Sequence, residues 1–296
     1  MLKKNLRLSD KIFFILNDAY LLIALLVVLL PTLHIISSSF SSPIAVSTGR
    51  VTLFPVDFSL KGYKTIFEHP SILSGFYNTI IYTVCGTLVN VFMTVLAAYP
   101  LSREKTPGKK LILFLFTFTM IFDGGLIPNY LLNLKLGLVN TRWVMIIPGA
   151  ISAYNLIICK TFFQTTIPEE MFEAASIDGC RHTRFLAQIV LPLSKPILAV
   201  LTLYYAVGHW NSYFSAFIYL SNKKLFPLQI ILREILVLNT IDASVILDPE
   251  LLAAQQGLSD LLKYSLIIVS SVPFMIAYPF VAKHFVKGAL VGAIKG

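Results

Sequence analysis

Six long apolar stretches constrain the fold of this chain more than any other feature. A bilayer core of about 30 Å takes about 20 apolar residues to cross as a helix. Charged residues make up only 13% of the 296 residues, against about 25% in a typical soluble domain. The pattern predicts an all-α integral membrane protein with six transmembrane helices. The stretches run over residues 15–37, 76–99, 111–133, 143–163, 196–220 and 262–282.

The basic residues are distributed unevenly along the chain. Fifteen of the 24 lysines and arginines are assigned to one side: fourteen lie in the N-terminal segment, the second and fourth connections and the C-terminal tail, and Lys160 lies near the end of the fourth stretch. The other nine are spread over longer connections. Since basic residues concentrate on the cytosolic side of membrane proteins, we expect both termini and the charged segment 173–196 in the cytosol. The net charge of +9 therefore indicates membrane topology rather than nucleic-acid binding.

The N-terminal part is expected to hold a membrane helix and an external loop. The first apolar stretch is longer than the roughly 7–15 residues of a signal-peptide core and lacks an A-x-A cleavage pattern. We therefore expect it to stay uncleaved. Alternation over Val51–Phe54 indicates a little extended structure in the loop that follows. The predicted division of the chain is 1–72, 73–290 and a short tail, 291–296.

The charged segment begins with signals for a short helix. Thr166 and Glu169 have the spacing of a capping box, and Pro168 between them suits a first helical turn. We expect this helix to run to Asp178. Gly179 follows, as the residue that adopts the left-handed conformation beyond a helix C-terminus.

A second short helix is expected after the glycine. Phe185, Ile189 and Leu193 recur every four residues and would share one face, with Pro192 interrupting the helix. The small residues Ala174 and Ala175 suit close docking into a groove of another protein. An amphipathic helix lying on the lipid surface fits the same residues equally well.

The same segment resembles the EAA loop of ABC-importer membrane subunits. That pattern has EAA, three intervening residues, a glycine and then a spaced I-x-L-P. Residues 122–148, 208–220 and 285–296 also resemble the carbohydrate-uptake branch of these permeases. The resemblance covers about residues 70–290. The matching positions in the loop are Glu173, Ala174, Ala175, Asp178, Gly179, Ile189, Leu191 and Pro192, with Phe185 and Pro196 as in sugar permeases.

The resemblance implies a type I ABC importer architecture, with 73–290 as the transmembrane domain and 166–196 as its cytosolic EAA loop. It implies a permease subunit rather than an enzyme, paired with a sister permease. Two copies of a separate ATPase would bind ATP and Mg²⁺, and an extracellular binding protein would deliver a sugar or oligosaccharide. In this scheme Glu173 anchors the docked helix, and the extreme tail, Lys295 and Gly296, reaches the ATPase.

The external segment 221–261 would meet the binding protein in this scheme. The alternatives are the same machinery carrying a peptide or glycerol phosphate, and an ion-coupled secondary transporter. The latter would be expected to place more charged residues within its spans. The sequence contains no P-loop, H-E-x-x-H or G-x-S-x-G motif. Its three cysteines lack metal-ligand spacing.

Two groups of polar residues interrupt the apolar stretches. His209, Trp210 and Asn211 lie in the fifth stretch, where polar groups either line a cavity for a sugar or join neighbouring helices. Asp123 precedes Gly124-Gly125 in the third stretch. It either caps the second half of a broken helix or takes part in a proton relay.

Overall fold

Helices are the regular secondary structure in the part of the chain that the structure describes. The computed structural model describes residues 8–235, 257–276 and 278–279, and no β-strand lies in these ranges. The all-α prediction is confirmed there. Val51–Phe54, expected to be extended, is irregular. No strand among the described residues pairs with it. Instead Ser37 Oγ donates to Leu53 O at 2.7 Å, and His34 Nδ1 is hydrogen-bonded to Thr52 O at 3.0 Å.

The helices differ widely in length, from 3 to 33 residues. Short 3₁₀ turns lie at Arg142–Met145 and Lys223–Leu225. A π-helical turn, Leu186–Val190, joins α9 to α10. In chain order the helices are α1 Leu8–Ser39, α2 Pro43–Ser47, α3 Lys61–Glu68, α4 Pro70–Ser102, α5 Lys109–Ile121, α6 Leu126–Lys135, α7 Ala153–Thr166, α8 Glu169–Ile177, α9 His182–Phe185, α10 Leu191–Leu193, α11 Lys195–Trp210, α12 Tyr213–Tyr219, α13 Leu228–Arg233 and α14 Gly257–Ile276.

Three of the described helices, α1, α4 and α14, are long and apolar enough to cross a membrane. Two bent pairs raise this number to five if each pair is one span: α5 with α6, bent by 117°, and His182–Leu193 with α11, bent by 83°. The six predicted spans are thus not matched one for one by long helices in this part of the chain.

The predicted fourth span, 143–163, is not one helix. Its first half is a 3₁₀ turn followed by irregular backbone, and α7 starts only at Ala153. Pro148 lacks the N–H that a continuing helix needs, and Gly149 has φ +72°. These two residues end the helical geometry that the apolar composition alone predicted.

Contacts gather the chain into two compact units. The first takes the described residues up to Pro70 and those within Leu232–Val272. The second takes Ser71–Ile231 and the described residues from Pro273 onward. In the first unit α3 packs closely on α14 at Gly62, where a side chain would collide with Ser265 and Leu261. The sequence-based boundaries at 72/73 and 290/291 stay predictions.

The core of the second unit joins helices that are far apart in sequence. Phe163 of α7, Phe185 of α9 and Leu201 of α11 are fully buried in one cluster with Ala98 and Tyr99 of α4. Burying a large apolar side chain stabilises a fold by about 1.5–3 kcal/mol. This cluster lies directly beneath α8 and therefore supports the segment that carries the EAA residues.

Candidate functional site

The helix α8 carries most of the EAA residues and ends as the sequence predicts. It runs from Glu169 to Ile177, Asp178 is its C-cap, and Gly179 follows with φ +77°. The predicted capping box is wrong: Thr166 is the last residue of α7, and Pro168 occupies the N-cap without a side-chain hydrogen bond. Only Ile167 and Pro168 separate α7 from α8, so Thr166 belongs to the preceding helix and cannot cap α8.

The outer surface of α8 is uncovered in the isolated chain. Glu173, Ala174 and Gly179 are exposed, and Ile177 keeps 87% of its accessible surface. An exposed apolar side chain beside small residues and a carboxylate is typical of a protein contact surface. Ala175 is half-buried and packs on the core cluster.

The second helix of the segment differs in part from the prediction. His182–Leu193 is continuous, with a π turn at Leu186–Val190 in which Leu191 N–H donates to Leu186 O. Pro192 has no N–H for the carbonyl four residues earlier, which favours such a turn. Phe185 and Ile189 share a face that packs on the core cluster, as predicted, whereas Leu193 beyond the π turn is exposed. Leu191 and Pro192 therefore lie within the helix rather than at its end.

A buried arginine fastens α8 to the end of α4. Arg103 is 4% exposed, and its Nη1 lies 3.4 Å from Glu169 Oε2. Its Nη2 donates to Phe163 O and Ile167 O at 3.5 and 3.3 Å. The guanidinium also lies over the Tyr99 ring, 5.5 Å from its centroid. One side chain thus joins α4, the end of α7 and the start of α8.

A second layer of contacts surrounds this arginine. Tyr99 OH is hydrogen-bonded to His182 Nδ1 at 3.0 Å, and the His182 ring stacks on Phe172 of α8 at 4.2 Å. Lys105 Nζ lies 3.2 Å from Glu173 Oε1, with both side chains exposed. These residues border an open groove of about 570 Å³ beside α8. Displacement of α8 would therefore pull directly on the end of α4.

The contacts of Arg103 with Glu169, Phe163 O, Ile167 O and Tyr99, here called the Arg103 hub, were not predicted from the sequence. Arg103 counted only as one of the basic residues that set topology. A usable signal was present: Glu169 lies four residues before Glu173, so the two carboxylates share one side of α8. Arg103 and Lys105, two residues apart in one connection, pair with them in the same order.

His209 joins two long helices at the centre of the second unit. Its Nε2 is hydrogen-bonded to Asn90 Oδ1, and its ring lies against Gly86, where a Cβ would collide with it. One turn away, Thr94 Oγ1 is hydrogen-bonded to Tyr205 OH at 2.7 Å. Gly86, Asn90 and Thr94 follow at four-residue intervals on α4 and form a polar seam with α11.

The other predicted pathway residues lie elsewhere. Trp210 is buried between Phe76 and Phe274, at ring-centroid distances of 6.4 and 5.4 Å. The exposed Asn211 receives a long hydrogen bond from Gln229 Nε2, at 3.5 Å. Neither residue borders the cavity of about 240 Å³ that His209 lines. Lys295 and Gly296, and the central part of 221–261, lie outside the described residues.

Asp123 lies in the break between α5 and α6. Its Oδ1 accepts from Gly125 N–H and from Asn129 Nδ2, both at 3.2 Å. The broken helix that the sequence predicted is confirmed by the 117° bend. Among the residues that the structure describes, no group of three His, Cys, Asp or Glu side chains could hold a metal ion.

Several known proteins are similar in sequence to this chain over nearly its whole length. The polygalacturonan/rhamnogalacturonan transport system permease protein YtcP of Bacillus subtilis is 39% identical and covers 98% of this chain and 100% of its own. Protein LplC of the same organism is also 39% identical, covering 97% and 96%. The B. subtilis maltodextrin transport system permease protein MdxG is 30% identical, covering 94% and 95%.

A solved structure shares the fold. It is a crystal structure of a bacterial ABC transporter involved in the import of the acidic polysaccharide alginate, and one of its chains matches with a TM-score of 0.87 at 34% identity. The match covers 96% of this chain and 100% of the other. The helices around the polar seam and the Arg103 hub thus form a type I ABC importer permease fold.

Most of the chain matches one protein family. Residues 71–291 match the family described as binding-protein-dependent transport system inner membrane component, a range that starts at the second unit and includes α8 with its EAA residues. This chain belongs to the family of inner membrane components of binding-protein-dependent transport systems.

Proposed function

We propose that this chain is the permease subunit of an ATP-driven importer for a sugar or oligosaccharide, which an extracellular solute-binding protein delivers. The observation that carries the proposal is the exposed α8 with its glycine turn, fastened to α4 through Arg103. A helix that couples an ATPase to a membrane domain needs both features, because it must offer a free surface and transmit displacement. Relatives named for polysaccharide and maltodextrin transport support a carbohydrate substrate.

The partners in this proposal are a sister permease, two copies of a cytosolic ATPase, the binding protein and the lipid bilayer. ATP and Mg²⁺ bind to the ATPase subunits, and this chain performs no chemical step. Glu173, Ala174, Asp178 and Gly179 form the docking surface, and Ala175 packs on the core cluster beneath it. Lys295 and Gly296 provide a second ATPase contact at the C-terminus.

The substrate class is tested by purifying the complex in mild detergent and reconstituting it in liposomes with its binding protein. We expect ATP-dependent uptake of maltotriose or trigalacturonate, which represent the neutral and acidic carbohydrates named for the relatives. Uptake of a peptide or glycerol phosphate, with neither carbohydrate transported, would favour the alternative substrate. Uptake driven by an ion gradient without ATP would indicate a secondary transporter.

The proposed topology has six spans in the bacterial cell membrane, with both termini in the cytosol. The third span would be the bent pair α5 and α6. The fourth would combine α7, whose 14 residues measure about 21 Å, with the irregular backbone before it. Irregular backbone occurs at membrane depth only where protein or a cavity surrounds it.

We expect a thiol reagent added outside cells to modify a cysteine at Ser244 and to spare one at Arg181. The reason is the placement of basic residues on the cytosolic side. Cys85, Cys159 and Cys180 would be replaced beforehand, because all three are free thiols in the structure. Permeabilised cells supply the control, since both positions should then react. Protection at 244 with labelling at 181 would contradict the topology and the docking surface together.

Gly179→Val is expected to impair ATPase association more than it impairs folding. Valine in the left-handed conformation costs about 1–2 kcal/mol, while nothing lies within 4 Å of an added Cβ, so the strain stays local. Glu173→Ala should act in the same direction more mildly. The measurement is the ATPase yield on co-purification, alongside uptake.

Matched controls are available for both substitutions. Gly137→Val imposes the same strain at φ +68° and also has open space, but it lies far from α8 in sequence. Glu170→Ala removes an exposed carboxylate from the same helix. The docking role would be refuted if the position 179 and 173 variants matched their controls in both measurements.

A further inference from the structure

A cavity of about 240 Å³ lies where two helices of the second unit are interrupted. Pro148 and Gly149 of the irregular segment before α7 form one side. Ser212, in the break between α11 and α12, and Ser215 form another. In many secondary transporters the substrate site lies at interrupted helices, because the freed backbone and side chains can meet a polar ligand, and the same physical reason applies here.

The irregular backbone at this cavity is held by side chains. Asn90 Nδ2 donates to Gly149 O at 3.0 Å and to Ala150 O at 2.9 Å. Tyr205 OH accepts from Ser152 N–H at 3.1 Å. Since these side chains belong to the buried faces of α4 and α11, the break is a fixed feature of the fold and not a frayed helix end.

The same network sets the hydrogen-bonding state of His209. Asn90 uses its amide N–H groups for the two carbonyls, so its Oδ1 accepts from His209 Nε2–H. In the neutral imidazole Nδ1 is then an acceptor. The cavity thereby gains an imidazole of fixed tautomer beside hydroxyl groups.

The lining is polar and contains no charged side chain. Besides His209 it presents the phenols of Tyr204 and Tyr219 and the hydroxyls of Ser212 and Ser215. Neutral donors and acceptors next to aromatic rings suit a sugar, whose hydroxyls form hydrogen bonds and whose C–H face packs on a ring. The volume lies below the roughly 300–1,000 Å³ of sites for drug-sized ligands. It therefore has room for one pyranose ring of a longer carbohydrate.

We propose that this cavity is a sugar subsite, which takes one pyranose ring of the transported carbohydrate through its hydroxyl groups. The proposal rests on the proposed importer function and adds that this subunit contacts the cargo directly. Asn90 is a positioning residue, because it holds His209 and the broken segment in place. Tyr204, Tyr219, Ser212, Ser215 and His209 contact the ring.

The test uses the complete importer in liposomes with its binding protein, and maltotriose and trigalacturonate as probes. Ser215→Trp fills the cavity, and we expect it to raise the KM for uptake about tenfold or to remove uptake. The control is Thr202→Trp, an exposed residue of α11 that does not border the cavity, which should transport like the unaltered importer. A KM effect confined to position 215 would not arise from a merely structural role.

A second readout keeps the test decisive if Ser215→Trp fails to assemble. Ser215→Cys, in a chain without its three native cysteines, is treated with a methanethiosulfonate reagent during ATP turnover. We expect the transported probe to slow modification at least severalfold at 215 and to leave Thr202→Cys unaffected. Unprotected labelling, together with unchanged KM in any assembled Ser215→Trp complex, would overturn the subsite. Failure of the unaltered importer to take up either probe would instead overturn the proposed function, and the subsite with it.

Discussion

Leucine in place of Arg103 is expected to remove most ATP-driven uptake, because it detaches the start of α8 from the end of α4. The substitution leaves Glu169 without its cation and two carbonyls without a donor. Removing one partner of a buried ion pair costs about 3–5 kcal/mol. We expect a cost near the lower value, about 3 kcal/mol, because the Glu169 side chain is 21% exposed and solvent can partly compensate it. Even 3 kcal/mol shifts the attachment equilibrium about a hundredfold.

The adjacent ion pair provides the control for this substitution. Lys105 and Glu173 are joined at 3.2 Å but are 80% and 56% exposed, and exposed pairs contribute about 0–1 kcal/mol. Lys105→Leu should therefore leave stability nearly unchanged. The measurements are the melting temperature of the purified complex and uptake per ATP hydrolysed. Equal losses for Lys105→Leu and Arg103→Leu would contradict the role assigned to the buried arginine.

Exchanging the two charged residues tests whether uptake depends on the ion pair itself or on the large side chain at position 103. The double substitution Arg103→Glu with Glu169→Arg keeps one cation and one anion at the hub. It should recover part of the uptake lost in either single variant. Full recovery is not expected, because the reversed pair no longer donates to Phe163 O and Ile167 O.

Local signals predicted α8 well. Its end at Asp178 and the left-handed Gly179 follow from backbone chemistry within a few residues, and so does the break at Asp123 and Gly124. The errors came where a distant partner or a neighbouring helix decides the structure. The predicted capping box ignored that α7 extends to Thr166, and the predicted extension of the Ile189 face to Leu193 ignored the π turn before Pro192.

The prediction for His209 and Trp210 was limited for the same reason. The sequence indicated His209 and Trp210 together because both interrupt an apolar stretch. Successive helical residues point in different directions, so His209 and Trp210 meet different partners, although both contact α4. His209 reaches Asn90, 119 positions earlier, while Trp210 packs among other aromatic rings. Nothing in the local pattern around His209 reveals that Asn90 is its partner, although four-residue spacing of Gly86, Asn90 and Thr94 was visible.

Gly86→Ala is expected to destabilise the second unit strongly for so small a change. An added Cβ would overlap the ring of His209, so the ring must move and its hydrogen bond to Asn90 is lost. Overpacking a tight contact costs about 1–3 kcal/mol, and the lost hydrogen bond adds about 1 kcal/mol. Because Asn90 also holds the carbonyls of the broken segment, we expect lower thermal stability and slower uptake together.

The control for this substitution lies on the facing helix. Gly208→Ala adds the same methyl group beside His209, but nothing lies within 4 Å of its Cβ, so the melting temperature should stay unchanged or rise slightly. Removing the obstructing ring in the double variant Gly86→Ala with His209→Ala should recover part of the stability that Gly86→Ala loses. If Gly86→Ala and Gly208→Ala melted alike, close approach of α4 and α11 at His209 would not be what holds the polar seam together. The stability of the broken segment would then depend on Asn90 and Tyr205 alone.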